Sequence, residues 1–367
     1  MFGIAKLTPV FLAHFLAFAR ARSGSKEDHF RAIKLSRTPA GSSTRDFLVY
    51  VSTGKNRHQW KLPFLLDTGS WDVWVEADSV TSSKNNGLRG YINLHLSETV
   101  PGPKILTYAY GHSVELDYAV NETLDFGSGV KAKLRLWISN KVSPAFFHSF
   151  GSVGTIGAEI SSEFAHRIGQ FYLVPKIGRM EMIVGSWRVK HLCHRKFMHY
   201  SSISRSSTSY DRWNVVGSFG VHSQISGVRS VPNEDVAVKI HMTMDTGHPG
   251  IELITPLWNA MTSIMNDIGS PIYEANGSTF ATNCDSYKDR FPRFSVSIGS
   301  FVHYIHPRAY IIRHGNECAM KLYHKSSSMS PPQMFLGASF LRYVISHWDA
   351  KGFRMGFCKI GKGVFTA

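Results

Sequence analysis

With 367 residues, 43% hydrophobic and 13% aromatic, the chain holds more than one core, since single cores usually stop growing near ~250 to 300 residues, and two domains are expected. Its 41 Lys and Arg against 26 Asp and Glu leave a net charge of +15, and 18 His add to it in acid, which favours anionic surroundings such as a polysaccharide, a membrane surface or an acidic substrate. Nucleic acid is excluded as a partner, because the basic residues are spread along the chain and no nucleic-acid-binding signature is present.

The chain opens with Lys6, an apolar run from Leu7 to Ala19, and Ala19-Arg20-Ala21. That order of a positive start, a short apolar stretch and an A-x-A site predicts a signal peptide over residues 1–21, with a buried first helix as the alternative. No later stretch reaches the ~18 to 20 apolar residues that a spanning helix needs, so no membrane span is expected after its removal. Short alternating runs then dominate: Arg45 to Ser52, Lys61 to Leu66, Leu106 to Tyr110, Lys133 to Ser139, Phe171 to Pro175, Glu181 to Gly185, Phe294 to Ile298 and Tyr343 to Trp348. Their period of two and the Gly, Ser, Asn and Pro clusters between them predict an all-β protein. Helical periodicity is scarce. Pro256 to Ile268 places Leu257, Met261, Ile264 and Ile268 on one face with Gly269 as the stop, and a shorter helix is expected after Ser161. Ser201 to Tyr210 is expected to be a solvated loop.

Four cysteines and two sequons, at Asn121 and Asn276, fit an oxidising secretory route, and the absence of CxxC spacing argues against zinc. One stretch stands out. "LLDTGS" at Leu65 to Ser70 recurs as "TMDTGH" at Thr243 to His248, with the aspartates 178 positions apart (245 minus 67). Each copy is followed by an apolar segment closed by Gly, "GTIG" ending at Gly157 and "MFLG" ending at Gly337, which reads as a duplicated β lobe. A carboxylate at the end of an apolar strand is costly when it stands alone. Asp67 and Asp245 are therefore expected to meet, to share one proton and to act as a coupled pair. Such a pair hydrolyses a peptide bond with no metal, cofactor or covalent nucleophile: one oxygen takes a proton from water while the protonated partner donates to the carbonyl. Thr68 and Thr246 fasten the turns, Gly69 and Gly247 let backbone N–H groups approach the carboxylates, and Ser70 orients the outer oxygen of Asp67.

From about Phe47 onward the chain resembles the pepsin-like aspartic proteases. "FLLDTGSWDVWV" and "TMDTGHPGIELITP" are similar to that family's two active-site segments, "LTYAYGHSVEL" to its flap, and "MFLGASFLRYVISHWDAKGFRMGFC" to its C-terminal signature. The resemblance implies a bilobal double β-barrel with few short helices and an active-site cleft between lobes 46–175 and 176–367, preceded at 22–45 by a short extension or vestigial prosegment. It makes Tyr110 the flap tyrosine, Trp74 the tryptophan behind it, and Cys284–Cys318 a disulfide. Phe146 and Phe147 are either the apolar wall of a substrate pocket or ordinary core aromatics. Cys193 and Cys358 either pair or remain free thiols. Lys34 to Arg45 is either a basic segment reaching the dyad or the first strand and its loop, and residues 22–45 leave no room for a full inhibitory prosegment.

The departures are as specific as the matches. His248-Pro249 stands where relatives carry Thr or Ser, the flap tip reads Tyr110-Gly-His-Ser, Ala338 replaces an expected Asp, and Val153 replaces another acidic residue. His248 is expected either to disturb the shared proton or to point into solvent. The resulting expectation is a secreted or vacuolar, monomeric aspartic endopeptidase working in acid on peptide or protein substrates. The alternative is a pepsin-like binding or inhibitor protein with impaired catalysis. A third reading, a wall- or carbohydrate-binding protein recruited by charge, has no site motif.

Overall fold

The computed structural model describes residues 31–36, 47–53, 61–76, 99–107, 113–139, 141–142, 151–176, 179–185, 191–194, 197–204, 212–224, 240–275, 278–285, 287–314, 317–326 and 332–361. Most of them are strand, gathered in one sheet of 14 strands, one of seven and one of four. Seven of the eight alternating runs contain strands, among them Leu48–Thr53, Leu62–Asp67, Val130–Ser139 and Val344–Asp349, and of the eighth, Leu106 to Tyr110, only Leu106 and Thr107, at the end of the strand Thr99–Thr107, are among the described residues.

The sequence repeat is a structural repeat. In the first copy Leu62–Asp67 runs parallel to Gly154–Gly157, which is antiparallel to Val73–Glu76, which is parallel to Val130–Ser139. In the second, Ile240–Met244 runs parallel to Gln333–Leu336, which is antiparallel to Ile251–Ile254, which is parallel to Leu322–Lys325. Each Asp-Thr-Gly thus leaves a strand whose parallel neighbour runs up to the marker glycine, ending at Gly157 in the first copy and just before Gly337 in the second. Gly157 N–H bonds Asp72 O at 3.0 Å and Gly337 N–H bonds Gly250 O at 2.8 Å, so both glycines are stitched to the strand entering after the turn. This is the double β arrangement that the resemblance implies.

Six antiparallel strands extend the sheet of the first copy in the order His199–Ser202, Arg354–Lys359, Val344–Asp349, Gln170–Lys176, Arg179–Val184 and Arg31–Ser36. Alternation gives this layer two apolar faces. Phe171, Leu173, Trp348 and Phe357 enter the main core, while Tyr172, Val174, Ile183, Ile345 and Cys358 form a second cluster on the other side. Ser201 and Ser202 belong to this layer, opposite Met355 and Arg354, and correct the loop expected there; 205–210 lie outside the described residues. Arg31–Ser36 is a strand between Arg179–Val184 and Leu48–Thr53, with Lys34 exposed and opposite Glu181. The expected signal segment, 1–21, lies outside the described residues.

The expected helix spans Thr255–Asp267, buries Leu257, Met261, Ile264 and Met265, and ends where Gly269 takes φ +69°. The shorter one spans Glu163–Ile168, with Ser162 Oγ accepting the Ala165 N–H at 3.1 Å. No described helix is long and apolar enough to cross a membrane.

Both disulfides form. Cys284–Cys318 has Cα atoms 5.9 Å apart, and Cys193–Cys358, the pair left open by the sequence, has them 5.5 Å apart. The second spans 165 positions and ties residues 191–194 to the six-stranded layer, where Cys193 bridges to Ile360. Replacing both Cys193 and Cys358 by Ser is expected to lower the unfolding free energy by about 3 kcal/mol. Urea denaturation checks this, and an unchanged midpoint would show that the bridge constrains nothing.

Candidate active site

The apolar strand Leu62–Asp67 is buried along its whole length and delivers Asp67, 5% exposed, to the middle of the molecule. The equivalent strand Ile240–Met244 delivers Asp245, which is half-buried. The two turns then interlock across an approximate two-fold relation. Thr68 N–H donates to Thr246 Oγ1 at 3.0 Å, and Thr246 N–H donates to Thr68 Oγ1 at 2.9 Å. Each threonine hydroxyl also donates across to the strand of the other copy: Thr68 Oγ1 to Met244 O at 3.0 Å, Thr246 Oγ1 to Leu66 O at 2.6 Å. Both threonines are fully buried, so each hydroxyl and N–H fixes the position of the opposite turn.

The carboxylates are held by their own turns. Gly69 N–H bonds Asp67 Oδ1 at 2.9 Å, and Gly247 N–H bonds Asp245 Oδ1 at 2.7 Å. Ser70 Oγ donates to Asp67 Oδ2 at 2.8 Å. Each glycine also lies against the carboxylate of the opposite copy. A Cβ on Gly69 would stand 2.5 Å from Asp245 Oδ2, and one on Gly247 would stand 2.3 Å from Asp67 Oδ1. The two carboxyl groups therefore converge on one spot with a bare backbone beneath each, as acid–base work on a shared water requires.

Around the pair, Trp74 is fully buried with Leu48, Leu65, Val114 and Leu116. Val114 and Leu116 are the last apolar residues of the segment that resembles the flap, so Trp74 packs against its returning strand. Tyr110, Phe146, Phe147 and Asn276 lie outside the described residues. Asn121 is exposed on the strand Ser113–Gly127. Val153 and Ala338, the two departures from expected acidic residues, are buried apolar positions, with Val153 N–H on Pro63 O at 2.9 Å and Ala338 N–H on His248 O at 2.9 Å.

His248 corrects one of its two expected placements. The ring does not point into solvent: it is 4% exposed, packed edge-on to Tyr323 at 5.1 Å and nearly parallel to Phe335 at 6.0 Å. Its Nδ1 accepts the Gly250 N–H at 3.1 Å, and its Nε2 stands 3.6 Å from Glu252 Oε1.

Sequence reasoning missed two contributors. Trp213, fully buried, donates its Nε1–H to Ala158 O at 2.8 Å, while Ala158 N–H bonds Asp67 O at 2.7 Å, so a side chain of the second copy braces the first turn from behind. Its signal, a lone tryptophan before an apolar run, was present without a partner. Trp71 follows Ser70 directly and is 52% exposed, an exposed aromatic beside the carboxylate pair. Among the described residues no group of three or more His, Cys, Asp or Glu is placed to hold a metal ion.

The family model for eukaryotic aspartyl protease matches residues 207–360, a span that contains Asp245, its turn and all of the second structural copy. No curated protein matches the chain.

Proposed function

We propose, from the match of residues 207–360 to the family model for eukaryotic aspartyl protease, that the protein is an aspartic endopeptidase whose dyad is Asp67 and Asp245. The observation that carries this reading is the reciprocal packing of the two turns, which places Gly247 against Asp67 and Gly69 against Asp245. Two carboxyls this close hold one proton between them. Water bound between them loses a proton to the ionised oxygen as its own oxygen attacks the peptide carbon. The protonated carboxyl gives its proton to the carbonyl oxygen, forming a tetrahedral diol. Collapse of that diol, with proton transfer to the amide nitrogen, breaks the C–N bond and returns one proton to the pair.

An extended peptide lies between the lobes by strand-like main-chain bonding, with Tyr110 closing over it and Trp74 supporting that closure. The two disulfides suit a secreted or vacuolar protein. The second reading, a binding protein of the same fold without turnover, is favoured by His248 in the place of a hydroxyl. The matching backbone N–H donor on each carboxylate, Gly69 for Asp67 and Gly247 for Asp245, favours catalysis.

The test is cleavage of a denatured protein substrate from about pH 3 to 7.5, with and without a statine-type inhibitor that mimics the diol. Cleavage that rises below neutrality and stops with the inhibitor is expected. Folded protein that cleaves nothing at any pH would move the conclusion to the binding reading, and inhibitor-insensitive cleavage would remove the dyad from it.

A further inference from the structure

Ser70 and His248 hold the same place in the two turns, each three residues past its aspartate, and their main chains agree: Ser70 N–H to Asp67 O is 3.4 Å and His248 N–H to Asp245 O is 3.2 Å. Their side chains diverge. Ser70 Oγ donates to its aspartate, whereas both nitrogens of the His248 ring are engaged by Gly250 and Glu252. A ring that accepts a backbone N–H at Nδ1 carries its proton at Nε2, so that proton is aimed at Glu252.

Glu252 is mostly buried, and its other oxygen lies 3.1 Å from Lys325 Nζ. Burial by itself would raise the Glu252 carboxyl, yet the hydrogen bond from His248 and the Lys325 ammonium together hold it below the usual carboxylate range. The contacts continue. Lys325 Nζ sits 4.3 Å from the centre of the Phe335 ring, and Arg212 lies 5.3 Å from the same ring. Arg212 reaches Glu159 at 3.7 Å, and the Glu159 N–H bonds Ser70 O at 2.9 Å. A line of contacts therefore runs from His248, three residues past Asp245, to Ser70, three residues past Asp67, with the Lys325 and Arg212 cations on the Phe335 ring and an acid outside each of them. Structural ion pairs on open surfaces contribute little, but an acid this buried, with a histidine and a lysine on its two oxygens, fixes geometry.

We propose that Glu252 is a positioning residue for the dyad: acting through His248 and Lys325, it holds the turn that carries Asp245, the task that a hydroxyl performs for Asp67 in the first turn. This rests on the dyad reading above. Glu252→Gln takes the anion away from His248 and Lys325 and lets the second turn move, so kcat falls while peptide binding by the main chain of the cleft persists.

The experiment is a double-mutant cycle on the full chain, read as kcat and KM on a cleaved peptide, as affinity for the statine-type inhibitor and as melting temperature. E252Q is expected to lower kcat about tenfold with KM within about twofold. His248→Thr restores a hydroxyl at the turn and is expected to keep kcat within about threefold, and in that background E252Q is expected to change kcat less than about twofold. H248A, with neither ring nor hydroxyl, is expected to lose about tenfold, and this arm stands even if E252Q fails to fold. An E252Q loss of equal size in both backgrounds, or a lowered melting temperature with kcat unchanged, overturns the proposal while leaving the protease reading intact. Wild type that binds the inhibitor but does not cleave is read through the same cycle in affinity. Wild type that neither binds nor cleaves overturns the dyad reading, and this one with it.

Discussion

Gly247→Ala is expected to lower kcat about a hundredfold, and Asp67→Asn about a thousandfold, with both proteins folded. The second follows, on the mechanism proposed above, from removing the group that accepts a proton from water. The first follows from space. An alanine Cβ at 247 would stand 2.3 Å from Asp67 Oδ1, 2.4 Å from its Cγ and 2.7 Å from Oδ2, all inside van der Waals contact. Neither partner has room to withdraw. Asp67 is fixed by the Gly69 N–H and the Ser70 hydroxyl, and the turn carrying Gly247 is pinned one residue earlier, where Thr246 bonds both Thr68 and Leu66. The carboxylate must rotate off its donors, and a displacement of about 1 Å at a reacting group is enough for a hundredfold loss. Gly69→Ala is the mirror experiment, with its Cβ 2.5 Å from Asp245 Oδ2. Gly269→Ala is the control: φ there is +69° with nothing within 4 Å of the new Cβ, so it is expected to cost about 1 kcal/mol of stability and no activity. Wild-type kcat for Gly247→Ala in a folded protein would mean that the carboxylates do not converge as described.

What could be read from the sequence was local or repeated. Period-two runs gave the strands, because a strand with one or two buried faces writes its burial into every second residue. The recurrence of Asp-Thr-Gly, with an apolar segment and Gly after each copy, gave the duplicated motif, because both copies solve one backbone problem with one set of residues. Long-range pairing was not legible. Nothing in Arg31–Ser36 announces Arg179–Val184 as its neighbour, and the strand His199–Ser202 hides in a serine-rich stretch because only its partner Arg354–Lys359 makes it a strand. The surroundings of His248 were illegible for the same reason. Glu252 lies four residues away, but Lys325 and Phe335 arrive from strands more than 70 positions later, and they decide that the ring is buried and turned to an acid.

Lowering the pH from about 7 to 4 is expected to reduce the unfolding free energy by up to about 6 kcal/mol, a large share of the 5–15 kcal/mol that a typical domain has. Two histidines carry most of it. His347, 2% exposed, lies face to face with Tyr172 at 4.1 Å and edge-on to Tyr200, and neither of its ring nitrogens finds a hydrogen-bond partner among the described residues. Burial pushes its pKa down to about 4, with Asp349 opposing and Arg354 assisting. Burial likewise lowers His303 to about 4, helped by Lys359 and His306. An unfolded histidine takes its proton near 6.5, so between 6.5 and about 4 the unfolded chain binds protons that the folded one refuses. Stability therefore falls as pH drops through that window and levels off beneath it, at about 3 kcal/mol for each ring. The lowered Glu252 carboxyl works in the same direction, because its contribution is present above its unfolded value and is lost in stronger acid. Urea midpoints at pH 7, 5.5 and 4 for wild type and His347→Phe provide the check: the variant should take up one proton fewer on unfolding and show a shallower slope. Identical slopes would remove His347 from the account. Fold stability then opposes the acid-range cleavage proposed above, since protonating the His347 and His303 rings favours the unfolded chain. Loss of activity on the acid side is accordingly expected to follow unfolding, as the two rings gain their protons.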